Sequence, residues 1–296
     1  MAPSRREFCQ VAALTGVAAT LGTEALPSAG ATAREEGTVL KLSSQEGRIP
    51  GATLAEKIDR MAEWGFSAIE PSGGGLPGRI DEYRTALADG KVKVSAVCAG
   101  FKGCLISHDK AQRELAATTI KELLKAAGEL GSTGLIVVPA FHGQTELSCE
   151  QARPILVEAL KELGDVALEN GTRILLEPLN RGECYFLRLL ADAAAIARDA
   201  GSQGVAVMGD FFHMNIEETS DRGAFLSAGA ALHHVHLASG RRVLPGQDDR
   251  SFVDGFRGLK EIGFSDYCSL ECGCDGDPLV EIPKAVKFLK RQWAEA

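Results

Sequence analysis

Short apolar runs alternate with longer segments of helical periodicity along most of the chain. In residues 54–64, for example, Leu54, Ile58 and Met61 fall on one helical face, and Gly65 ends the pattern. Eight apolar runs have the length and composition of buried strands: 39–43, 66–70, 92–98, 134–138, 172–177, 205–209, 232–237 and 267–270. The predicted helices are 54–64, 80–88, 109–130, 149–170, 186–200, 252–262 and 279–293, and the region 216–228 contains a further helix of uncertain limits.

This alternation predicts an α/β fold, a single (β/α)8 TIM barrel. Strands separated by helices favour a parallel sheet with right-handed crossovers, and eight repeats favour closure of that sheet. A barrel of this type takes about 250 residues, so residues 34–296 fit one domain. No G-x-G-x-x-G turn follows the first strand and no Walker motif occurs, which argues against a nucleotide-binding fold.

Composition narrows the range of partners. Apolar residues make up 45% of the 296 residues, enough for a large core, and the formal net charge is −8. Because the pI is near 5.4 and no basic stripe with interleaved aromatics occurs, we expect no nucleic-acid partner.

The first 33 residues have the pattern of a twin-arginine export signal. Ser4-Arg5-Arg6-Glu7-Phe8 precedes an apolar stretch over residues 11–21, and Ala31-Thr32-Ala33 offers a cleavage site. We therefore expect a periplasmic or extracytoplasmic protein; the alternative is an exposed N-terminal helix with two chance arginines. The apolar stretch is shorter than the about 20 residues that span a bilayer, so we expect no stable membrane anchor.

Seven cysteines follow the predicted signal, and they do not form a recognisable metal motif. No C-x-x-C occurs, and an odd number cannot all pair within one chain. We interpret them as small residues in and near the core, with a disulfide left open for an exported protein.

Four chemically distinctive residues lie at or near the ends of the last four predicted strands: Glu177, Asp210, His236 and Glu271. Residues at the C-terminal ends of barrel strands point towards one mouth, so we expect these four to converge. Three carboxylates and one imidazole are suited to a divalent cation such as Mn²⁺ or Mg²⁺. The linker 239–249, which follows the seventh predicted strand on the same side, is a candidate substrate loop.

The order of these motifs resembles the xylose isomerase-like superfamily, and within it the D-tagatose 3-epimerase and D-psicose (allulose) 3-epimerase group. The resemblance runs from Leu42 to the end of the chain. It rests on Glu177-Pro178-Leu179-Asn180-Arg181, on Asp210-Phe211-Phe212-His213, on His234-Val235-His236 and on Leu270-Glu271.

That resemblance implies one divalent ion, Mn²⁺ as first choice with Mg²⁺, Co²⁺ or Zn²⁺ as alternatives, held by the same four side chains. It also implies that Glu177 and Glu271 are the acid/base pair, in a homodimer or homotetramer. Substrate contacts are implied for three further residues: Glu183, His213 and Arg242.

Residues outside these motifs are less clearly assigned. Glu70 ends the second strand, where it would contact substrate or position a metal ligand. His142 is a candidate substrate contact, and His108 a weaker one; each could instead be a surface or structural histidine. Alternation along the strand puts His234 on the face of His236, but deeper, so we do not expect it to be a ligand.

The implied reaction is epimerisation or isomerisation of a ketose or related keto-sugar through a metal-stabilised enediolate. The resemblance leaves open a lyase or dehydratase acting on a keto-inositol or 3-keto-glycoside, since both reactions begin with proton abstraction beside a carbonyl. A non-catalytic exported sugar-binding protein is a third reading, which the presence of both glutamates disfavours. An abasic-site endonuclease needs many His ligands, and only six histidines occur.

Overall fold

A computed structural model of the protein describes residues 38–296. Eight parallel strands, the third in two pieces, form one sheet. They are β1 Lys41–Gln45, β2 Ala68–Glu70, β3 Lys93–Val94 with Ala96–Cys98, β4 Gly134–Val137, β5 Ile174–Leu176, β6 Val205–Asp210, β7 Leu232–Leu237 and β8 Tyr267–Leu270. Each predicted strand is thus found, with ends that differ by a few residues.

The sheet closes on itself at Ser95, which separates the two pieces of β3. The first piece pairs with β2 and the second with β4. The N–H of Ser95 donates to the carbonyl of Ile69 at 2.9 Å, and its own carbonyl accepts from the N–H of Thr133 at 2.8 Å. β1 pairs with both β2 and β8, which completes the ring. The predicted (β/α)8 barrel is confirmed.

Helices surround the barrel, and most begin at a side chain that caps the first turn. Thr53, Asp109 and Ser148 each accept from a backbone N–H of the first turn. The helices of the described part are α1 Leu54–Trp64, α2 Ile80–Ala86, α3 Lys110–Glu129, α4 Cys149–Glu169, α5 Leu190–Ala200, α6 Phe211–Glu217, α7 Asp221–Ala228, α8 Val253–Glu261 and α9 Pro278–Glu295.

The helix predicted within 216–228 is found as α7, and a further short helix that was not predicted, α6, precedes it. The two helices are separate because a different side chain caps the start of each. Asp210 accepts from the N–H of Phe212 at 2.7 Å, and Ser220 accepts from the N–H of Gly223 at 3.0 Å. The first of these caps brings His213 onto a helix directly above the barrel mouth.

Inside the barrel, apolar residues fill the lower layers and polar residues the upper ones. A buried cluster from strands β3 to β6 closes the lower end: Ala96, Ile136, Leu175, Ala206 and Met208. On β5 and β6 the inward residues that follow are charged, Glu177 and Asp210. The interior is therefore solid at one end and chemically reactive at the other.

The structure does not test every prediction made from the sequence. The export signal and its cleavage site lie outside the described residues 38–296. Within that range, no helix combines the length and apolarity needed to cross a bilayer.

The seven cysteines that follow the predicted signal are all unpaired thiols, so the alternative of a disulfide among them is not realised.

Candidate metal centre and active site

The four strand-end residues meet at the barrel mouth. Glu177 follows β5, Asp210 ends β6, His236 lies in β7 and Glu271 follows β8. One ligand atom from each can be chosen so that all lie within 4.8 Å of one another. The structure thus brings together the side chains that the sequence put forward as metal ligands.

Two buried atoms in this cluster have no hydrogen-bond partner: Nδ1 of His236 and Oδ2 of Asp210. Both residues are fully buried. An unsatisfied buried polar atom costs about 1–3 kcal/mol, and more when it is charged, so two of them in one cluster need an explanation. A divalent cation would satisfy both, and the donor set of three carboxylates and one imidazole fits such an ion.

The charges of the cluster point the same way. Burial raises the pKa of Glu177, and the neighbouring carboxylates of Glu271 and Asp210 add to the rise although His236 opposes it. Burial likewise raises the pKa of Asp210 to about 7. Without a cation the site therefore resists carrying its full negative charge.

Glu271 differs from the other two carboxylates. Burial alone would raise its pKa, but His236 and Arg242 outweigh that effect and lower the pKa of Glu271 well below its usual range. Its Oε1 accepts from Nε2 of Gln45 at 2.8 Å, and its Oε2 accepts from Nη2 of Arg242 at 2.8 Å. Two carboxylates with opposite pKa shifts on one site are typical of an acid/base pair.

Arg242 crosses the mouth from the loop after β7. Its guanidinium contacts Oε1 of Glu183 at 3.3 Å as well as Glu271, and it lies 4.7 Å from the ring centre of Phe212. The backbone of Arg242 is left-handed, with φ of 56°, which is rare for a side chain of this size. Backbone strain of this kind clusters at functional sites, and here it turns the guanidinium inwards. The predicted loop 239–249 thus reaches the site.

His213 is held above Asp210 with a defined proton position. Its Nδ1 accepts from the backbone N–H of Asn180 at 3.2 Å, which leaves the proton on Nε2. Nε2 lies 3.5 Å from Oδ2 of Asp210. Burial and the nearby Arg242 lower the pKa of His213 to about 3, so the ring is a neutral donor that faces the cluster.

Glu70 is buried against two histidines, which does not match its predicted role as a substrate contact. Its side chain has no exposed surface, and its oxygens contact Nε2 of His234 and Nε2 of His236. Burial alone would raise the pKa of Glu70, but the two imidazoles outweigh it and lower the pKa to about 2. Its geometry matches the other sequence-based interpretation, in which Glu70 positions a metal ligand.

His142 and His108 are both exposed and lie in loops. Nε2 of His142 lies 3.0 Å from the carbonyl oxygen of Arg181, and the backbone N–H of His142 donates to the carbonyl oxygen of Glu183. His142 therefore borders the loop that carries one predicted substrate contact. His108 makes no comparable contact with that loop, and its carbonyl accepts from Arg113.

Sequence reasoning missed two residues at the site. Gln45 ends β1 and donates to Glu271. Asn180 donates to Glu183 at 3.0 Å and contacts Nδ1 of His213 at 2.7 Å. The signal for Gln45 was the one used for the charged residues, a polar side chain at a strand end. Asn180 lay within a quoted motif but received no role.

The chain matches a known protein family. A family model described as a xylose isomerase-like TIM barrel matches residues 58–292. The chain belongs to this family. The match confirms the resemblance drawn from the motifs, and it covers all four residues of the cluster.

Similar proteins are named epimerases. The chain is 30% identical over 241 residues to 3-dehydro-D-guloside 4-epimerase of Escherichia coli K12, covering 78% of this chain and 92% of that one. It is 34% identical over 235 residues to D-psicose 3-epimerase of Agrobacterium fabrum, covering 74% and 79%. These matches confirm the prediction of an enzyme of the isomerase and epimerase class.

Solved structures agree. A 3-keto-D-glucoside 4-epimerase from E. coli superimposes with a TM-score of 0.80 at 27% identity, covering 86% of this chain and 100% of that one. A D-psicose 3-epimerase superimposes with a TM-score of 0.72 at 22% identity, covering 84% and 90%. The second likeness, at that identity, shows the fold alone.

Proposed function

We propose that this protein is a divalent-metal-dependent epimerase of keto-sugars. The observation that carries the proposal is the meeting of Glu177 and Glu271 with Asp210 and His236 at one barrel mouth. The orphaned Nδ1 of His236 and Oδ2 of Asp210 support the metal. Mn²⁺ is our first choice of ion, with Mg²⁺, Co²⁺ and Zn²⁺ as alternatives for metal analysis to decide.

The four side chains would hold the ion and divide the remaining work. A bound ion would supply Lewis-acid stabilisation of the negative charge that develops on a substrate carbonyl oxygen. One of Glu177 and Glu271 removes the proton beside that carbonyl, and the other returns a proton from the opposite face. Arg242, Glu183 and His213 surround the mouth with the fixed donors and acceptors that orient sugar hydroxyls.

Among keto-sugars, we propose an oxidised glycoside ahead of a free ketose. The E. coli relatives named for guloside and glucoside substrates are matched over 92% and 100% of their lengths. The D-psicose 3-epimerase of A. fabrum is matched over 79% of its length. An export signal also suits a substrate met outside the cytoplasm.

Turnover in deuterated water tests the reaction. The metal-loaded protein is incubated with 3-keto-glycosides and, in parallel, with free ketoses, and the products are followed by NMR. We expect solvent deuterium at the inverted carbon with the rest of the connectivity unchanged. Release of an aglycone or of water would instead identify a lyase or dehydratase and refute the epimerase. A protein that binds the sugars without exchange would be a binding protein.

We further propose export by the twin-arginine pathway, in which the folded protein crosses the membrane after loading its metal. Support comes from Ser4-Arg5-Arg6-Glu7-Phe8 and the small residues near position 33. Replacing both Arg5 and Arg6 with Lys should retain the protein in the cytoplasm on cell fractionation. A homodimer or homotetramer is proposed by analogy, and light scattering decides between them.

A further inference from the structure

A buried triad of side chains lies directly beneath the proposed metal site. Glu70 comes from β2, and His234 and His236 come from β7 across the barrel. Nε2 of His234 lies 2.8 Å from Oε2 of Glu70, and Nε2 of His236 lies 3.0 Å from Oε1 and 3.1 Å from Oε2. All three side chains are fully buried, so water does not compete for these contacts.

The chemistry of the triad fixes which nitrogen carries the proton. An ionised carboxylate only accepts hydrogen bonds, so both histidines must donate to Glu70 through Nε2–H. His236 is thereby left with Nδ1 facing the cluster, 3.1 Å from Oε2 of Glu271 and 3.8 Å from Oε1 of Glu177. This is the same Nδ1 that has no hydrogen-bond partner.

His234 completes the arrangement without reaching the metal site. Its ring lies edge-on to that of His236, with centroids 5.2 Å apart and planes at 82°. By donating to Oε2, it fixes the orientation of the carboxylate group that faces His236. The position of His234, deeper in the barrel on the same face of β7, therefore has a structural use.

We propose that Glu70 is a positioning residue for the metal ligand His236, with His234 holding Glu70 in turn. Glu70 sets the Nε2–H tautomer and the ring orientation of His236, so that Nδ1 binds the ion. The inference rests on the proposed function insofar as it takes the cluster to be a metal site. Outer partners of ligand histidines typically contribute 10–100-fold to metal affinity.

Metal affinity of the Glu70→Gln variant is the main test. Glutamine keeps the size of the side chain, but its amide cannot accept from both imidazoles with both of its polar atoms. We expect the dissociation constant for Mn²⁺ to rise 10–100-fold by calorimetry, with the circular dichroism of the metal-free protein unchanged. An affinity equal to that of the wild type would overturn the proposal.

His233→Asn is the matched control. His233 is adjacent on β7 but faces away from the interior, where its Nδ1 lies 2.7 Å from Asp266. We expect its Mn²⁺ affinity to equal that of the wild type. An equal loss in both variants would mean that disturbance of β7, rather than the Glu70 contact, controls affinity, and would refute the proposal.

NMR of the Zn²⁺-loaded protein provides a readout of the tautomer itself. In the wild type we expect the Nε2–H proton of His236 to resonate far downfield, as a buried donor to a carboxylate. In Glu70→Gln this signal should move upfield or exchange. An unchanged signal, or a wild type in which Nε2 carries the metal, would contradict the assignment.

Glu70→Asp decides the question if the glutamine variant does not fold. The shorter side chain keeps the acceptor chemistry but withdraws it from His236, so we expect a several-fold loss of Mn²⁺ affinity. Unchanged affinity in a folded Glu70→Asp protein would overturn the proposal. Two ions bound per chain would also overturn it, because the triad would then be a cation site itself.

These measurements separate the positioning role from the function of the enzyme. If Glu70→Gln binds Mn²⁺ normally while the wild type epimerises keto-sugars, only the positioning role fails. If Glu70→Gln shows the losses but no sugar is turned over, only the epimerase proposal fails. A raised KM with normal metal affinity would instead make Glu70 a substrate contact.

Discussion

The two halves of the barrel mouth carry different chemistry. Strands β5 to β8 end in the charged cluster of Glu177, Asp210, His236 and Glu271. Strands β1 to β3 end in Gln45, Glu70 and Cys98. On the second half the functional atoms lie within 4.8 Å of one another. On the first half, Gln45 and Glu70 each contact a member of the cluster.

This difference indicates a division of labour within one ring of strands. The second half supplies the groups that would bind the ion and move protons, and the first half holds those groups in place. Gln45 donates to Glu271, and Glu70 accepts from His236. A residue can therefore lie at a strand end of the mouth without touching substrate. The role of such a residue is inferred from its contacts as well as from its position at the strand end.

The largest effect should come from the second half. We expect Glu271→Gln to lower kcat by about 10²–10⁴-fold, because the variant cannot exchange a proton with the substrate. Steady-state kinetics with the metal-loaded protein measures this, and sugar binding should persist. Arg241→Gln is a suitable control, since Arg241 is exposed and binds Asp275 instead. Normal turnover by Glu271→Gln would contradict the proposal that the second half of the mouth carries the proton-transferring groups.

Metal-dependent stability tests the cluster directly. At a free Mn²⁺ concentration of 100 times its dissociation constant, binding should add about 2.7 kcal/mol to the free energy of unfolding. Asp210→Asn should lose most of this gain in urea titrations. Asp266→Asn, altered on the outer side of the barrel beside His233, should keep it. Equal gains in both variants would show that the ion binds elsewhere.

A smaller effect is expected from the supporting half. Gln45→Leu removes the hydrogen bond to Oε1 of Glu271, and such a bond to a charged group contributes about 1.5–3 kcal/mol. We therefore expect kcat to fall at least about tenfold with the metal still bound. Gln112→Leu, on an exposed face of α3, should have no effect. If Gln45→Leu abolished activity as fully as Glu271→Gln, the first half would be doing chemistry rather than supporting it.

The smallest effect concerns the scaffold of the first half. Glu46, just after β1, accepts from Arg79 and from the hydroxyl of Tyr83. Burial opposes its ionisation, but these contacts outweigh burial and lower the pKa of Glu46 from 4.5 to about 2. Its stabilising contribution is therefore full above pH 4.5 and is lost as the pH falls towards 2.

We expect Glu46→Gln to destabilise the protein by about 1 kcal/mol at pH 7, by urea titration, and by less near pH 2. Turnover at neutral pH should hardly change. Glu82→Gln is the control, because Glu82 also binds Arg79 but lies exposed. A loss that grew on acidification would contradict the sign of the effect.

Much of the fold could be predicted because its signals are local. The spacing of Leu54, Ile58 and Met61 specifies α1, and Gly65 ends it in the left-handed conformation. The short helix α6 was not predicted, because Asp210 was interpreted only as a ligand. Its carboxylate also caps a helix through Oδ1, while Oδ2 stays free for the cluster. A sequence interpretation that gave Asp210 a single role could not predict both the metal ligand and the helix cap.

The sequence by itself determined the eight-unit alternation, the strand ends and the identity of the charged groups there. Each is encoded within a few neighbouring residues, through periodicity, caps and glycines. Only the tertiary structure decided that Glu70 meets His236, 166 positions away along the chain. Such a contact depends on closure of the ring and on the register of each strand, which bring side chains from opposite walls into one small, dry interior.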